Sequence, residues 1–177
     1  MNVYLKQIDM RDDKEYSDLL MELSHYKDAY ARPVPSDFSE EEFEDFKKNR
    51  IRMRNNDNLP DYVVPTSTYW VICDDKVIGY ATLKHRIDVN KVGGHFGCCL
   101  KKDYQNKGIG NIVAELLSKI AYYDLGIEEV IYTAKNENIQ SQKSIENIGG
   151  KLIGVHNGYH FYSVNIKDKY KLEGRNI

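Results

Sequence analysis

The sequence predicts an α/β fold, in which a mixed, mostly antiparallel sheet of six to seven strands carries helices on both faces. Two observations support this prediction. Three short runs rich in β-branched and aromatic residues follow one another closely, as in an antiparallel meander. Beyond them, apolar residues recur every three or four positions and a further strand pattern follows, as in a helix that joins two strands. A length of 177 residues fits a single domain with its own core.

The N-terminal third is predicted to hold one edge strand and two helices. Residues 3–8 alternate weakly in polarity, as in a strand at the edge of a sheet. Between residues 12 and 30 the apolar side chains have helical spacing. Ser39 and the three glutamates after it are typical of a helix N-cap and an acidic first turn. Residues 55–65 are polar and contain prolines, which predicts a loop.

Three strands are predicted in the middle of the chain. They cover residues 69–73, 77–83 and 96–100, and Asp74-Asp75-Lys76 forms the turn between the first two. Gly93-Gly94 precedes the third strand. Because these runs are close in sequence, we expect them to pair as an antiparallel meander.

The second half alternates helices and strands. A helix after Gly110, with Gly126 as its C-cap, leads to a strand at residues 129–134, and this arrangement predicts parallel pairing with the strand at 96–100. A second helix covers residues 139–148. The last two strands are predicted at residues 151–155 and 159–166, joined by an Asn157-Gly158 turn of type I′.

Composition excludes several classes of function. A net charge of −2 provides no basic field for a polyphosphate backbone, so we expect no nucleic-acid partner. No apolar run reaches the roughly 18 residues of a membrane span, and the N-terminus has no signal-peptide pattern. The three cysteines fit neither a disulfide framework nor a zinc site, so we expect a cytoplasmic protein without a metal. The lysine-rich residues 167–177 are interpreted as a polar tail.

One segment carries the chemistry. Residues 100–110 follow a strand and open an amphipathic helix, and Gly108 and Gly110 allow a ligand to approach the backbone closely. The free N–H groups and the positive end of the dipole in the first helical turn form an anion site. Asn111 and Ile112 stand where a P-loop needs lysine and serine or threonine, and Val113 occupies the position of the third small residue of a dinucleotide fingerprint.

The remaining pattern resembles the pyrophosphate loop of the GNAT acetyltransferase superfamily. Gln105-Asn106-Lys107-Gly108-Ile109-Gly110 matches Gln/Arg-x-x-Gly-x-Gly/Ala, and the helix from Asn138 to Gly149-Gly150 resembles the second half of the family's cofactor site. Further similarity to a bacterial GNAT subgroup lies in three short patterns. They are Ser67-Thr68-Tyr69-Trp70, Gly93-Gly94-His95 and Ile145-Glu146-Asn147-Ile148-Gly149-Gly150.

The resemblance implies a single acetyltransferase domain over residues 1–177. In it, residues 1–66 would face the acceptor, residues 67–166 would bind acetyl-CoA, and residues 167–177 would be the tail. Strand backbone groups would pair with the pantetheine arm, loop N–H groups would hold the pyrophosphate, and a side chain at the second helix would contact the cofactor. The cofactor-binding residues implied are Cys98, Cys99, Leu100, Gln105, Asn106, Lys107, Gly108, Ile109, Gly110, Asn138 and Ser141.

The catalytic groups are less well defined by the sequence. A tyrosine often found in the family after the asparagine is replaced here by Ile145, so Ser144, or a tyrosine such as Tyr132, Tyr159 or Tyr162, becomes a candidate proton donor. His95 is a candidate base, with a structural role at the Gly93-Gly94 turn as the alternative.

The expected activity is acetyl transfer from acetyl-CoA to a primary amine on a small molecule, by direct attack on the thioester. The alternative is a CoA-binding sensor or partner module without acetyl transfer. Exposed strand edges would allow either a monomer or a homodimer.

Overall fold

A computed structural model describes residues 1–26, 38–87 and 93–173, and the elements below all lie in these ranges. The strands are β1 (Val3–Gln7), β2 (Thr66–Cys73), β3 (Lys76–Lys84), β4 (Phe96–Leu100), β5 (Glu129–Lys135), β6 (Lys151–His156) and β7 (Tyr159–Asn165). The helices are α1 (Lys14–Ser24), α2 (Glu40–Asn55), α3 (Ile109–Leu125), α4 (Ile139–Asn147) and α5 (Lys167–Glu173), with a short 3₁₀ turn at Lys102–Tyr104. The predicted α/β class and the seven strands are confirmed.

The strands form two antiparallel sheets. The first has the order β1-β2-β3-β4 and the second the order β5-β7-β6. The predicted meander is therefore confirmed, and so is the final hairpin, in which Asn157 and Gly158 both have positive φ (51° and 81°), as a type I′ turn requires.

The predicted parallel pairing of β4 with β5 is wrong. In the chain, β4 precedes the crossover helix α3 and β5 follows it, but no hydrogen-bonded ladder joins the two strands in the described structure. They meet at one point, where the His95 N–H donates to the Ile131 carbonyl oxygen (2.8 Å). A crossover helix predicts that two strands are neighbours, but it does not require that their backbones stay within hydrogen-bonding distance.

Helices cover both faces of the first sheet. Trp70 and Ile72 of β2 pack against α1 and α2, whereas Tyr69, Val71 and Cys73 pack against α3. Because successive strand residues point to opposite faces, β2 is buried along its whole length and shows no polar alternation.

Local sequence signals set the helix boundaries. Ser39 accepts from the Glu42 N–H while the Glu42 carboxylate accepts from the Ser39 N–H, a complete capping box at α2. Asp13 is the N-cap of α1, and its side chain accepts from the Glu15 N–H. The helix predicted over residues 12–30 ends at Ser24 in α1, and residues 27–30 lie outside the described ranges.

The interpretation of residues 167–177 as a polar tail is wrong for its first seven residues. They form α5, and Tyr170 is only 1% exposed. Its ring packs on Tyr122 and Tyr123 of α3, with centroid distances of 5.7 and 5.9 Å. A single aromatic residue among lysines gives no periodic pattern, so the sequence shows no signal for this helix. Residues 174–177 lie outside the described ranges.

Two surface features complete the description. Strand β6 is an edge strand with Leu152, Ile153 and Val155 exposed, so a homodimer through this edge stays a prediction. Within the described ranges, every helix is too short or too polar to cross a membrane.

Candidate functional site

A cavity of about 540 Å³ lies between the start of α3, α4 and the gap that separates β4 from β5. Gly108 and Gly110 line it at one end, Asn138 and Ser141 line it from α4, and Cys98 lines it from β4. The sequence therefore predicted residues from three separate elements that the fold brings to one cavity.

The N-terminus of α3 offers unused hydrogen-bond donors. Gly108 is the N-cap with φ +77°, and no side chain caps the helix. In the described part of the chain, no backbone acceptor outside the helix and strand ladders is found for the N–H groups of residues 106–110. These N–H groups and the helix dipole favour an anion at this end of the cavity.

Space for such an anion lies directly over the helix start. A Cβ built on Gly110 would meet no heavy atom within 4 Å beyond its chain neighbours and the backbone of its own helix, and a Cβ on Gly108 would meet none beyond its chain neighbours. The glycine at position 110 is therefore not required by packing of the protein against itself. It leaves the helix N-terminus open to a ligand.

The loop before α3 is fixed by a side chain. The Gln105 Nε2 donates to the Leu100 carbonyl oxygen (2.8 Å) and so ties the end of β4 to the loop. Asn106 follows with φ +59°, a conformation that asparagine tolerates better than most residues. Ile109 is 1% exposed and anchors the first helical turn in the core. Lys107 does not line the cavity, and its Nζ lies over the ring of Tyr104.

The backbone of β4 has one free side. The Lys101 N–H donates to Ile78, and the Lys84 N–H donates to His95, so the odd-numbered residues of β4 bond with β3. The alternation then turns the backbone groups of Cys98 and Leu100 toward the gap beside β5 and those of Cys99 toward β3. The Leu100 oxygen is bonded to Gln105, so the N–H groups of Cys98 and Leu100 and the Cys98 oxygen are the backbone groups directed toward this gap.

Gly94 and His95, directly before β4, contact Ile131 of β5 where the gap between the two strands is narrowest. The Ile131 N–H donates to His95 Nδ1 (2.9 Å), and the His95 N–H donates back to the Ile131 oxygen (2.8 Å). A Cβ on Gly94 would lie 2.3 Å from that same oxygen, so the backbones meet here at a distance that only glycine allows. This pair of contacts joins the two sheets.

We expect Gly94→Ala to lower the free energy of unfolding by about 1–3 kcal/mol, because the methyl group overpacks a contact between two backbones. Urea denaturation followed by circular dichroism measures this loss. Gly110→Ala is the matched control, since its methyl group meets no protein atom. Equal stability of the two variants would show that the contact at Gly94 does not constrain the junction.

The geometry favours the structural role for His95 over the role of base. Burial lowers the pKa of His95 to about 4. With Nδ1 accepting from Ile131, the neutral ring carries its proton on Nε2 and has no free lone pair. His95 therefore joins the sheets and does not line the cavity.

The two adjacent cysteines are packing residues. Burial raises the pKa of the Cys98 thiol to about 12, and it also raises the pKa of the Cys99 thiol. Both therefore stay protonated near pH 7 and supply no thiolate nucleophile.

Helix α4 brings three predicted residues to the cavity. Asn138 Oδ1 caps the helix by accepting from the Ser141 N–H (3.0 Å), which leaves the Asn138 Nδ2 as the group for a ligand. Ser144 lines the cavity, but its Oγ donates to the Gln140 oxygen (2.9 Å). Ile145 also lines the cavity and is 5% exposed.

The sequence analysis did not identify three polar cavity residues on α3 and α5, which are Glu115, Ser118 and Tyr170. Glu115 Oε1 accepts from Tyr170 Oη (3.0 Å), and Ser118 Oγ lies 3.2 Å from Tyr132 Oη. All four residues line the cavity. The available signal was the spacing of Glu115 and Ser118 from Asn111, which places them along one face of α3.

The sequence matches a known protein family. A sequence model of the acetyltransferase (GNAT) domain matches residues 5–151. No protein of curated function matches the sequence.

Several solved structures share the fold at low identity. One is the N-acetyltransferase PseH of Campylobacter jejuni in complex with acetyl coenzyme A (TM-score 0.62, 18% identity, covering 93% of this chain and 99% of that one). A second is the PaiA N-acetyltransferase of Thermoplasma acidophilum in complex with coenzyme A (0.59, 18%, 93% and 99%). A third is a mutant form of the spermidine/spermine N-acetyltransferase SpeG of Vibrio cholerae (0.63, 16%, 98% and 100%).

Proposed function

The chain belongs to the GNAT acetyltransferase domain family, and from this premise we propose that it transfers an acetyl group from acetyl-CoA to a primary amine on a small molecule. The observation that carries the proposal is the uncapped start of α3, where Gly110 leaves open space in front of free N–H groups. Such a site suits a pyrophosphate. Three free cysteines fit a reducing compartment, so we place the protein in the cytoplasm.

Different residues along the cavity bind different parts of acetyl-CoA in this proposal. The N–H groups of residues 106–110 hold the pyrophosphate, and the Nδ2 of Asn138 contacts the chain that leads from it. The free edge of β4 pairs with the pantetheine amides as an added strand would. The Cys98 N–H then donates to the thioester carbonyl oxygen and stabilises the negative charge that develops there.

Acetyl transfer is direct in this proposal. With Cys98 and Cys99 protonated, no cysteine forms an acyl intermediate. The neutral form of the amine attacks the carbonyl carbon, and its surplus proton passes to water.

A small-molecule acceptor is the form we favour. A net charge of −2 gives no strong field for a macromolecular polyanion or an acidic protein surface. Among proteins with this fold, the spermidine/spermine N-acetyltransferase acts on polyamines, but an enzyme from Salmonella typhimurium modifies the N-terminal serine of ribosomal protein L7/L12. The two classes of acceptor therefore both belong in the test.

A second candidate is a module that binds CoA and transfers nothing. Ile145 favours it, because this side chain lies in the core and lines the cavity without a hydroxyl group. This candidate predicts tight binding of acetyl-CoA without consumption of the thioester.

CoA release from acetyl-CoA over a panel of amines separates the two. The panel holds polyamines, aminoglycosides, amino acids and peptides with free N-termini, and mass spectrometry detects the acetylated product, since the three cysteines would react with a thiol dye. We expect one class of small amine to be acetylated. Binding of acetyl-CoA by calorimetry with no acetylated product from any amine would favour the module instead.

A further inference from the structure

We propose that Tyr132 of β5 gives its phenolic proton to the CoA thiolate as it leaves. This inference rests on the proposed function. In that reaction the amine nitrogen bonds to the acetyl carbon, the carbon–sulfur bond breaks, and the electron pair stays on sulfur. The sulfur takes the proton of Tyr132 Oη, and the product nitrogen loses its surplus proton to water.

Tyr132 lies where the two sheets separate. Its neighbour Ile131 is bonded to His95 at the junction, and the rings of Tyr132 and Phe96 meet edge to face, with centroids 5.1 Å apart. Phe96, Cys98 and Tyr132 all line the same cavity. The phenol therefore faces the space beside the free edge of β4, where the thioester lies in the proposed function.

The other candidate donors are used elsewhere. Tyr162 is 1% exposed, donates to Glu146 Oε1 (3.2 Å) and does not line the cavity. Tyr159 does not line it either. The Ser144 hydroxyl lines the cavity but is committed to the Gln140 carbonyl oxygen. Among the tyrosines that the sequence analysis named, Tyr132 alone combines a hydroxyl group with a place in the cavity.

The Tyr132 phenol is protonated at neutral pH, as a proton donor must be. Burial raises the pKa of Tyr132 to about 12, so it holds its proton at neutral pH. The phenol is therefore present as a proton donor when the thiolate forms.

A chain of polar side chains connects Tyr132 with the surface. Ser118 Oγ donates to the Ala114 oxygen (2.8 Å) and lies 3.2 Å from Tyr132 Oη, in a contact where either hydroxyl group can be the donor. Tyr170 lies beside Ser118, and its hydroxyl donates to Glu115. Glu115 pairs with Lys169, whose side chain is 49% exposed. After the transfer, the Tyr132 phenolate accepts a proton from water that enters the emptied cavity, and Ser118 beside it can donate a hydrogen bond to the phenolate meanwhile.

The test compares Tyr132→Phe with Tyr162→Phe, using the amine that the wild type acetylates. The two tyrosines are directly paired across β5 and β7, so each variant loses one hydroxyl group from the same part of the sheet. We expect Tyr132→Phe to lower kcat by about 10- to 100-fold, at or below the lower end for general acids because water replaces the phenol in part. The Kd for CoA should stay within about twofold, and Tyr162→Phe should keep the wild-type kcat.

A rescue variant separates proton donation from a structural effect. Ile145→Tyr, added to Tyr132→Phe, places a phenol on α4, which lines the same cavity, and is expected to restore most of the lost kcat. Thermal melting of each variant monitors folding. A Tyr132→Phe enzyme with unchanged kcat, or with only a raised KM for acetyl-CoA, overturns the inference while the proposed function stands. A wild type that acetylates no amine overturns the proposed function and this inference with it.

Discussion

Gly110→Trp is expected to abolish CoA binding while the protein stays folded. The indole would occupy the space in front of the α3 N-terminus, where no protein atom lies within 4 Å of the added Cβ. The pyrophosphate would then lose its contacts with the N–H groups of residues 106–110. We expect the Kd for CoA to rise by at least about 10³-fold, or about 4 kcal/mol. Isothermal titration calorimetry measures the affinity directly.

The same position supplies the matched control. Gly110→Ala adds only a methyl group, and the GNAT loop pattern accepts alanine at this place, so CoA affinity should change little. Both variants should unfold at the wild-type urea concentration or above it, because glycine is a poor helix former. If Gly110→Trp binds CoA as tightly as Gly110→Ala does, the anion site at α3 is wrong.

The cofactor loop was predictable from sequence because its determinants are local. Gly108 and Gly110 act through the absence of a side chain, and the strand before them and the helix after them have clear periodic patterns. The N-cap at Ser39 and the turn at Asn157-Gly158 belong to the same class of local signal. Each depends on residues within four positions of one another.

The set of side chains that meet in the cavity was not predictable from local signals. Tyr132, Ser118 and Tyr170 come from a strand and two helices, and their hydroxyl groups meet only because α5 folds back on α3. The point where the two sheets meet depends on the contact of Gly94 with Ile131, 37 residues later in the chain. Hydrophobic periodicity reports which face of an element is buried, but it does not report which element covers that face.

Asp12 is the clearest residue of this second kind, because its sequence context is that of an ordinary surface aspartate. It is 3% exposed. Its Oδ2 accepts from the indole Nε1 of Trp70 (2.6 Å), and its Oδ1 accepts from Lys6 Nζ (2.5 Å). Its backbone oxygen accepts from Lys47 Nζ (2.8 Å), a lysine that is itself 1% exposed. One aspartate thus links β1, β2 and α2.

Asp12→Ala is therefore expected to lower the free energy of unfolding by about 3 kcal/mol. The fully buried Trp70 indole would lose its acceptor, which costs about 1–3 kcal/mol, and Lys6 would lose its buried partner. Lys6 is 36% exposed and can turn to water, so the loss should stay at the lower end of the range for broken buried ion pairs. Urea denaturation measures this change. The neighbouring variant Asp13→Ala, which removes only the N-cap of α1, should cost about 1 kcal/mol. Equal losses for the two variants would mean that the Asp12 carboxylate contributes no more than a helix cap, and that the sheet and helices on this face are held by apolar packing alone.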